Sequence, residues 1–403
     1  MSFQSALSGL NAATRSLDVI GNNIANANTI GMKTSRTEFA DLVSSSLGAG
    51  GGGGAGLGVD VAAVSQTFSQ GNINVTGNDL DVAINGGGFF ELKMPDKSIA
   101  YTRDGEFKLD KLGNIVTNGG ANVMGYPTDL LGNPTSTAAA PLQLPTNAPI
   151  PAKKTANIAA GLNLDARATI VTPPVSPIAT TSGTSLTAYD SQGVAMPVNL
   201  YFSKVTPTTA GTDEWAVYQD PAGSPIGNMV FNASGTLTSS TVSTVTLTPS
   251  SPSVVPAFTA NLDVSKVTQY GSSFAVSNLT QDGYAPGELI GLKIGKTGVI
   301  TANYSNGQTQ AAGQVALADF RNVQGLAPSG GNNWIETFAS GQPVQGTPGA
   351  GKFGSLSAGA VEGSTIDLTA ELVNMMTAQR AYQANAQTIK TQDQIMTTLV
   401  NLR

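Results

Sequence analysis

The sequence predicts a mainly β chain of several domains, opened and closed by long α-helices. Apolar residues recur most regularly at helical spacing near the two ends, while the interior is rich in Gly, Thr and Ser with short alternating runs. A length of 403 residues also exceeds what one ordinary core holds, so two or more domains are expected.

Taken in order, Phe3, Leu7, Leu10, Leu17 and Ile24 fall three, four or seven apart and predict an amphipathic helix over about residues 3–27. Asn22, Asn23, Asn26 and Asn28 crowd its end and Gly31 lies just beyond, a common C-terminal pattern. The helix is assigned to 1–30 and a connector to 31–71, including the unbroken glycine row Gly50 to Gly54. A phosphate-binding loop would need a following Lys-Ser/Thr pair, and none follows.

Residues 72–146 read as the first part of a β-domain. Asp79-Leu80-Asp81-Val82-Ala83-Ile84 alternates before Gly86-Gly87-Gly88, and Phe89-Phe90-Glu91-Leu92 follows. The glycines precede aromatics, not a helix, which predicts tight backbone packing and argues against dinucleotide binding. Asp104-Gly105 predicts a hairpin turn between Tyr101-Thr102 and Phe107-Lys108-Leu109. Leu112-Gly113-Asn114 separates the latter run from Ile115-Val116-Thr117.

A Thr-, Ser- and Pro-rich block over 147–281 interrupts this domain, which resumes over 282–358 with runs such as Gly298-Val299-Ile300 and Gln314-Val315-Ala316-Leu317-Ala318. Within the block, strands at Leu186–Tyr189 and Val198–Phe202 flank the turn Asp190-Ser191-Gln192-Gly193, with further strands at Trp215–Tyr218 and Met229–Phe231. The closing segment, 359–403, carries a helix expected over about 365–402 with Ser364 as its cap. At 1.5 Å per residue it reaches roughly 55 Å. Its stripe is Leu368, Leu372, Met375, Tyr382, Ala386, Ile389, Met396 and Val400.

Composition narrows the function. Charged residues make up 11% of the chain, against about 25% for a typical soluble protein, and the net charge of −6 includes no basic run. Nucleic-acid binding is therefore not expected. The chain has no cysteine and no histidine, which removes disulfides, thiolate and imidazole catalysis and the usual transition-metal ligand sets. No cofactor is expected. Eighteen consecutive apolar residues occur nowhere, so no membrane insertion is expected, and the start Met1-Ser2-Phe3-Gln4 lacks the look of a cleavable signal peptide.

Asp79, Asp81 and Asp104 are the candidate carboxylates for calcium or glycoside chemistry, but a strand and a turn explain them as well. No catalytic, cofactor or metal residue is therefore assigned, and a secreted carbohydrate-active enzyme is the rival reading from another class. The terminal stripes point elsewhere. Two stripes can cover each other, but Val373, Met376, Ile395, Leu399 and Leu402 add apolar groups off the main seam, which Gln379 and Asp393 interrupt. That surplus predicts contacts with further copies of the chain. The residues assigned to subunit assembly are Phe3, Leu7, Leu10, Leu17, Ile24, Leu368, Leu372, Met375, Met376, Tyr382, Ile389, Met396 and Leu399. Without neighbours, both terminal helices are expected to be largely disordered.

Ser8-Gly9-Leu10-Asn11-Ala12-Ala13 and Leu17-Asp18-Val19-Ile20-Gly21-Asn22-Asn23-Ile24-Ala25-Asn26 resemble the N-terminal signature of the bacterial flagellar rod and hook proteins. Asp367-Leu368, Glu371 to Met376, Gln379-Arg380-Ala381-Tyr382 and Asn385 to Lys390 resemble the matching C-terminal signature. The block bearing Tyr189 to Gly193, Asn199 to Phe202 and Glu214 to Tyr218 is similar to the outer domain of hook proteins, which the shorter rod relatives lack. That block disfavours a rod or junction component.

The resemblance implies a multi-domain axial protein: terminal helices paired as a coiled coil lining a channel, an inner β-domain forming the wall, and an inserted outer β-domain. It implies a structural subunit, not an enzyme, that self-assembles into the flagellar hook, a flexible tubular universal joint passing motor torque from rod to filament outside the cell. Implied partners are many copies of itself, a rod protein at the proximal end, a hook–filament junction protein at the distal end, a hook cap protein during assembly, and the flagellar type III export apparatus. Bending also needs joints, expected at Gly50 and Gly54 and at the crossings marked by Pro145, Pro149, Gly283, Pro286 and Gly287.

Overall fold

The computed structural model describes residues 3–42, 58–145, 149–171, 182–249 and 254–401. They divide into two compact units. The first is Met1–Asn147, Gly291–Asn303 and Thr309–Arg403, and the second is Ala148–Ile290 with Tyr304–Gln308.

The first unit contains both helices. Helix α1 spans Phe3–Ala25 and helix α2 spans Leu368–Asn401. As Gly31 suggested, α1 stops before a left-handed residue: Gly31 has φ 71°, and a Cβ there would stand 2.7 Å from the Asp104 backbone nitrogen. The α2 cap differs from expectation. Asp367 Oδ1 accepts from the backbone N–H groups of Thr369 (2.9 Å) and Ala370 (3.2 Å), so Asp367 caps the helix, while Ser364 Oγ accepts only from Ile366 N–H at 3.2 Å. A carboxylate is also the better complement to a helix N-terminus.

Strands Thr309–Val315, Asn122–Tyr126, Phe89–Lys93, Ile99–Thr102, Asn333–Ile335 and Ala327–Gly330 lie side by side in one antiparallel sheet of this unit. Their core is aromatic: Phe89 meets Phe68, Phe320 and Trp334 edge-on, and the Trp334 indole N–H donates to Gln66 Oε1 at 2.6 Å. The alternation read at Asp79–Ile84 gives way to continuous burial, since Val82, Ala83 and Ile84 are all covered, as are Phe89 to Leu92. Strands enclosed on both faces need no polar side.

The hairpin expected at Asp104-Gly105 does not form. Ile99–Thr102 pairs with Phe89–Lys93 and Asn333–Ile335, whereas Phe107–Leu109 pairs with Ile115–Thr117. The intervening turn instead seats Gly105, whose carbonyl accepts from Val82 N–H at 2.9 Å. Gly86 packs tightly as expected, its would-be Cβ 2.8 Å from Gly354 Cα.

The second unit joins two five-stranded sheets over one apolar core. Ser182–Tyr189, Ala195–Val205, Asp213–Tyr218, Gly227–Phe231 and Leu237–Ser240 form an antiparallel meander. Along its second strand Met196, Val198, Leu200 and Phe202 point inward to Trp215, Met229 and Phe231, with exposed residues alternating between the first of them. Asn157–Asp165 centres the facing sheet, between Phe258–Asp263 and Ala275–Gln281. The unit extends past the edge expected at 281 because Tyr284 and Gly287 bridge back to Lys153 and Ile150.

Asp282 locks that base, accepting from the N–H groups of Ala156 (2.8 Å) and Asn157 (2.9 Å) and lying 3.3 Å from Lys153 Nζ. Burial opposes its ionisation, but these donors outweigh burial and take its pKa down from 3.8 to about 2. A depressed carboxyl stabilises the fold above its unfolded pKa and loses that contribution as pH falls toward its folded one. Asp282→Asn is therefore expected to flatten the acid-stability profile of this unit between pH 4 and 2. Acid unfolding followed by Trp215 fluorescence checks this, and an unchanged profile contradicts it.

Candidate assembly surface

The two helices pack along each other. On α1 the buried groups are Ala6, Ala12, Ala13, Ile20 and Asn23. Gly9 lies so close to Asn385 of α2 that an added Cβ would stand 2.9 Å from its Nδ2. Small side chains allow this close backbone approach. A Gly9→Val change is accordingly expected to wedge the pair apart, seen in assembled tubes as a loss of helix signal with the β signal kept; unchanged helicity of the tubes contradicts it.

The two stripes cover each other only in part. Phe3 remains 50% exposed and Met396 56%, with Leu7, Leu368, Leu372, Met376 and Tyr382 exposed between those positions in the chain. Leu10, Leu17, Ile24, Met375 and Ile389 are half-buried. The side chain of Leu399, like Gly50 and Gly54, lies outside the described residues. Val373, Ile395 and Val400 add to the uncovered apolar surface of α2.

A buried charge cluster roots these helices in the β-body. Glu362, just before α2, is fully buried and accepts from Lys33 Nζ at 2.6 Å, Arg103 Nη1 at 3.1 Å and Gly71 N–H at 2.8 Å. Lys33 follows α1 and also donates to the Ser69 carbonyl at 2.7 Å. Arg103 reaches Gly86 O at 3.0 Å and lies over the Phe89 ring. Burial pushes the Lys33 and Arg103 pKa values down, and the Glu362 carboxylate resists that shift in both. Beside the cluster, Thr34 N–H donates to Thr365 Oγ1 at 2.9 Å, and Asn23 exchanges two hydrogen bonds with the Ser35 backbone. Three segments from about the first quarter of the chain and the approach to its last helix therefore meet at one carboxylate. Sequence reasoning missed it, and no local pattern marks it: Arg103 and Lys33 stand among polar and charged neighbours and meet Glu362 only through the fold.

The carboxylates weighed for catalysis are engaged locally. Asp81 accepts from Thr76 Oγ1 (2.6 Å) and Asn78 Nδ2 (2.9 Å), Asp104 Oδ1 accepts from Glu106 N–H (3.0 Å), and Asp79 is exposed on its turn. Burial raises the Asp104 pKa. Among the described residues no cluster of three or more acidic side chains is placed to hold a metal, and no helix is long and apolar enough to cross a membrane. Of the expected joints, Gly287 sits in backbone pairing within the second unit and Gly283 and Pro286 flank that pairing, while Pro145 and Pro149 border the undescribed residues 146–148.

Comparison with known proteins supplies the family. Residues 3–33 match the flagella basal body rod protein family, 83–174 the flagellar hook protein FlgE/F/G D1 domain, 163–284 the flagellar basal body protein FlaE D2 domain, and 357–402 the flagellar basal body rod FlgEFG protein C-terminal family. The chain is 41% identical over 420 residues to the flagellar hook protein FlgE of Escherichia coli K12, covering all of both chains. The chain belongs to the flagellar hook protein FlgE family. A member from Rhizobium meliloti is 32% identical, with 99% of this chain and 98% of that one covered. The crystal structure of Helicobacter pylori flagellar hook protein FlgE2 shares the fold, with a TM-score of 0.54 at 16% identity over 72% of this chain and 100% of that one. Family membership makes the chain a structural subunit of the flagellar hook. The mostly β body with paired terminal helices is the architecture expected of it.

Proposed function

We propose that copies of this chain polymerise into a helical tube that acts as a universal joint, passing torque from rod to filament. The observation that carries this reading is the uncovered apolar surface along α1 and α2. Large apolar side chains left exposed along both helices call for cover, and neighbouring copies are its natural source. The Glu362 cluster supports the torque role, because it ties the helix pair to the β-body through buried charges that do not slide. The exposed Thr and Ser positions of the second unit offer weak, exchangeable contacts for bending.

The terminal helices would line the channel, with the first unit's β-body as the wall and the second unit outside. Bending freedom is assigned to the second crossing, about 280–287, with Gly283, Pro286 and Gly287; the other expected joints, the connector with Gly50 and Gly54 and much of the crossing between Pro145 and Pro149, lie outside the described residues. Export by the flagellar type III apparatus without a cleaved signal, help from a hook cap, and contacts with rod and hook–filament junction proteins complete the reading. The chain then works outside the cell as a mechanical part and catalyses nothing.

Electron microscopy of concentrated protein tests the reading: tubes are expected, and persistent monomers at high concentration contradict it. A chain lacking 147–281 is expected to form tubes of abnormal curvature. Normal curvature from that chain contradicts the assignment of bending contacts to the second unit.

A further inference from the structure

The loop that follows strand Asn333–Ile335 is inverted relative to what apolar burial favours. Ser340 is buried, whereas Phe338 is fully exposed, the most exposed large apolar side chain among the described residues. The loop is pinned all the same. Ser340 Oγ accepts from the Thr337 N–H and donates to the Thr337 carbonyl, both at 2.9 Å, and Thr337 Oγ1 donates to the Gly325 carbonyl at 2.5 Å. Asn322 Nδ2 adds a bond to the Ala339 carbonyl at 3.0 Å. Gly325 admits this close approach, since a Cβ there would collide with the Ser340 nitrogen. The Phe338 ring is therefore held out from a fixed backbone, with nothing of its own chain covering it.

The same unit carries an open cleft of about 190 Å³ with apolar walls from Val64, Phe68, Leu326 and Pro328. Small-molecule pockets begin near ~300 Å³, so this one suits a single side chain. It is preformed: Gln324 Nε2 donates to the Gln66 carbonyl at 2.8 Å, and Gln66 Oε1 holds the Trp334 indole N–H. Phe68, half-buried, already meets Phe89 and Trp334 edge-on at 5.7 and 5.4 Å, so one more ring extends that cluster. Val64 and Pro328 are exposed, which leaves the cleft open to an entering group. Val64 also borders the cleft beside Ser8 and Ala12 of α1, so the socket continues the surface assigned to neighbouring copies. The larger clefts of the unit are lined mainly by Asn, Thr, Ser and charged residues and do not suit a bare ring.

We propose that Phe338 of one copy seats in the cleft walled by Val64 and Phe68 of a neighbouring copy. The inference rests on the reading of the chain as a tube-forming subunit. Every copy brings both plug and socket on its first unit. Because they are different surfaces, one such contact leaves each partner with a free half, and the series continues head to tail. An aromatic anchor in a side-chain-sized pocket is where interface energy concentrates. The contact joins the β-bodies of neighbours directly and fixes their register, which an apolar stripe without directional contacts does not do.

A photoreactive diazirine carried on the Phe338 ring tests this with the plug's shape kept. Irradiated tubes are expected to give a ladder of covalently linked copies on a denaturing gel, with the links mapping to 64–68 or 324–328, while dilute monomer gives none. Phe338→Ser and Val64→Asp are each expected to raise the concentration needed for assembly on the order of 10-fold or more, with monomer melting unchanged for the first. Combined, they should cost little more than either alone, because both remove one contact. Links to other residues, or linked pairs in place of a ladder, overturn the inference and leave the tube reading intact. Phe338→Ser assembling like wild type, or the two changes adding in full, also overturns it. A Phe338→Ser monomer that melts lower gives the ring a role in its own chain and does the same. Should the unsubstituted chain form no tube, the tube reading falls and this inference with it.

Discussion

Replacing Glu362 with Ala is expected to destabilise the first unit by about 3–5 kcal/mol, because removal of one partner leaves buried charge uncompensated. Two cations would be stranded: Lys33, 2.6 Å from the carboxylate and almost wholly covered, and Arg103, 3.1 Å away. The Gly71 N–H loses its acceptor as well. Denaturant unfolding resolves the effect if the two units are followed separately, with Trp334 reporting the first and Trp215 the second. Only the first transition should move. A shift below about 1 kcal/mol, the range of surface ion pairs, contradicts the assigned role. Glu362→Gln is expected to fall between, since an amide oxygen still accepts hydrogen bonds but brings no charge.

A second large effect is expected from Leu372→Ser, Met376→Ser and Met396→Ser combined. All three side chains are about half exposed in the single chain, so the fold of the monomer should hardly notice. In the polymer each is expected to be covered. At about 1 kcal/mol per side chain, part of what full burial yields, the triple change should raise the assembly threshold on the order of 100-fold. Sedimentation of polymer against total protein measures this. An unchanged threshold, or a monomer that melts several degrees lower, argues that the stripe serves the single chain instead.

Much of this was legible before any coordinates. Helical periodicity placed α1 and α2 to within a few residues, because an amphipathic stripe states its own period. The hairpin around Asp190 was readable because its turn is local: the carboxylate accepts from the N–H groups of Gln192 and Val194, and nothing distant intervenes. The same clamp recurs at Asp110, Asp129 and Asn232, a repeated signal that went unread. Where long-range pairing decides, local reading failed. Asp104-Gly105 looks like a hairpin turn, but Thr102 pairs with Phe90 and Asn333 instead. The Lys33–Glu362 contact joins residues 329 positions apart, beyond the reach of any periodicity.

The packing between the helices shows a subtler limit. A sequence stripe says which residues avoid water, not which neighbour covers them. Gly9 was unremarkable next to Phe3 and Leu7, yet it makes the close approach to Asn385 while the large residues stay exposed.

Whether neighbouring copies complete the terminal helices is the point on which the rest turns. Amide hydrogen exchange over Phe3–Ala25 and Leu368–Asn401, compared between dilute monomer and assembled tubes, tests it most directly. The account predicts rapid exchange of both helices in the monomer and slowing by orders of magnitude in the tube, while the core strand Phe89–Lys93 is equally protected in both. Helices already fully protected in the monomer, with no change on assembly, would contradict it.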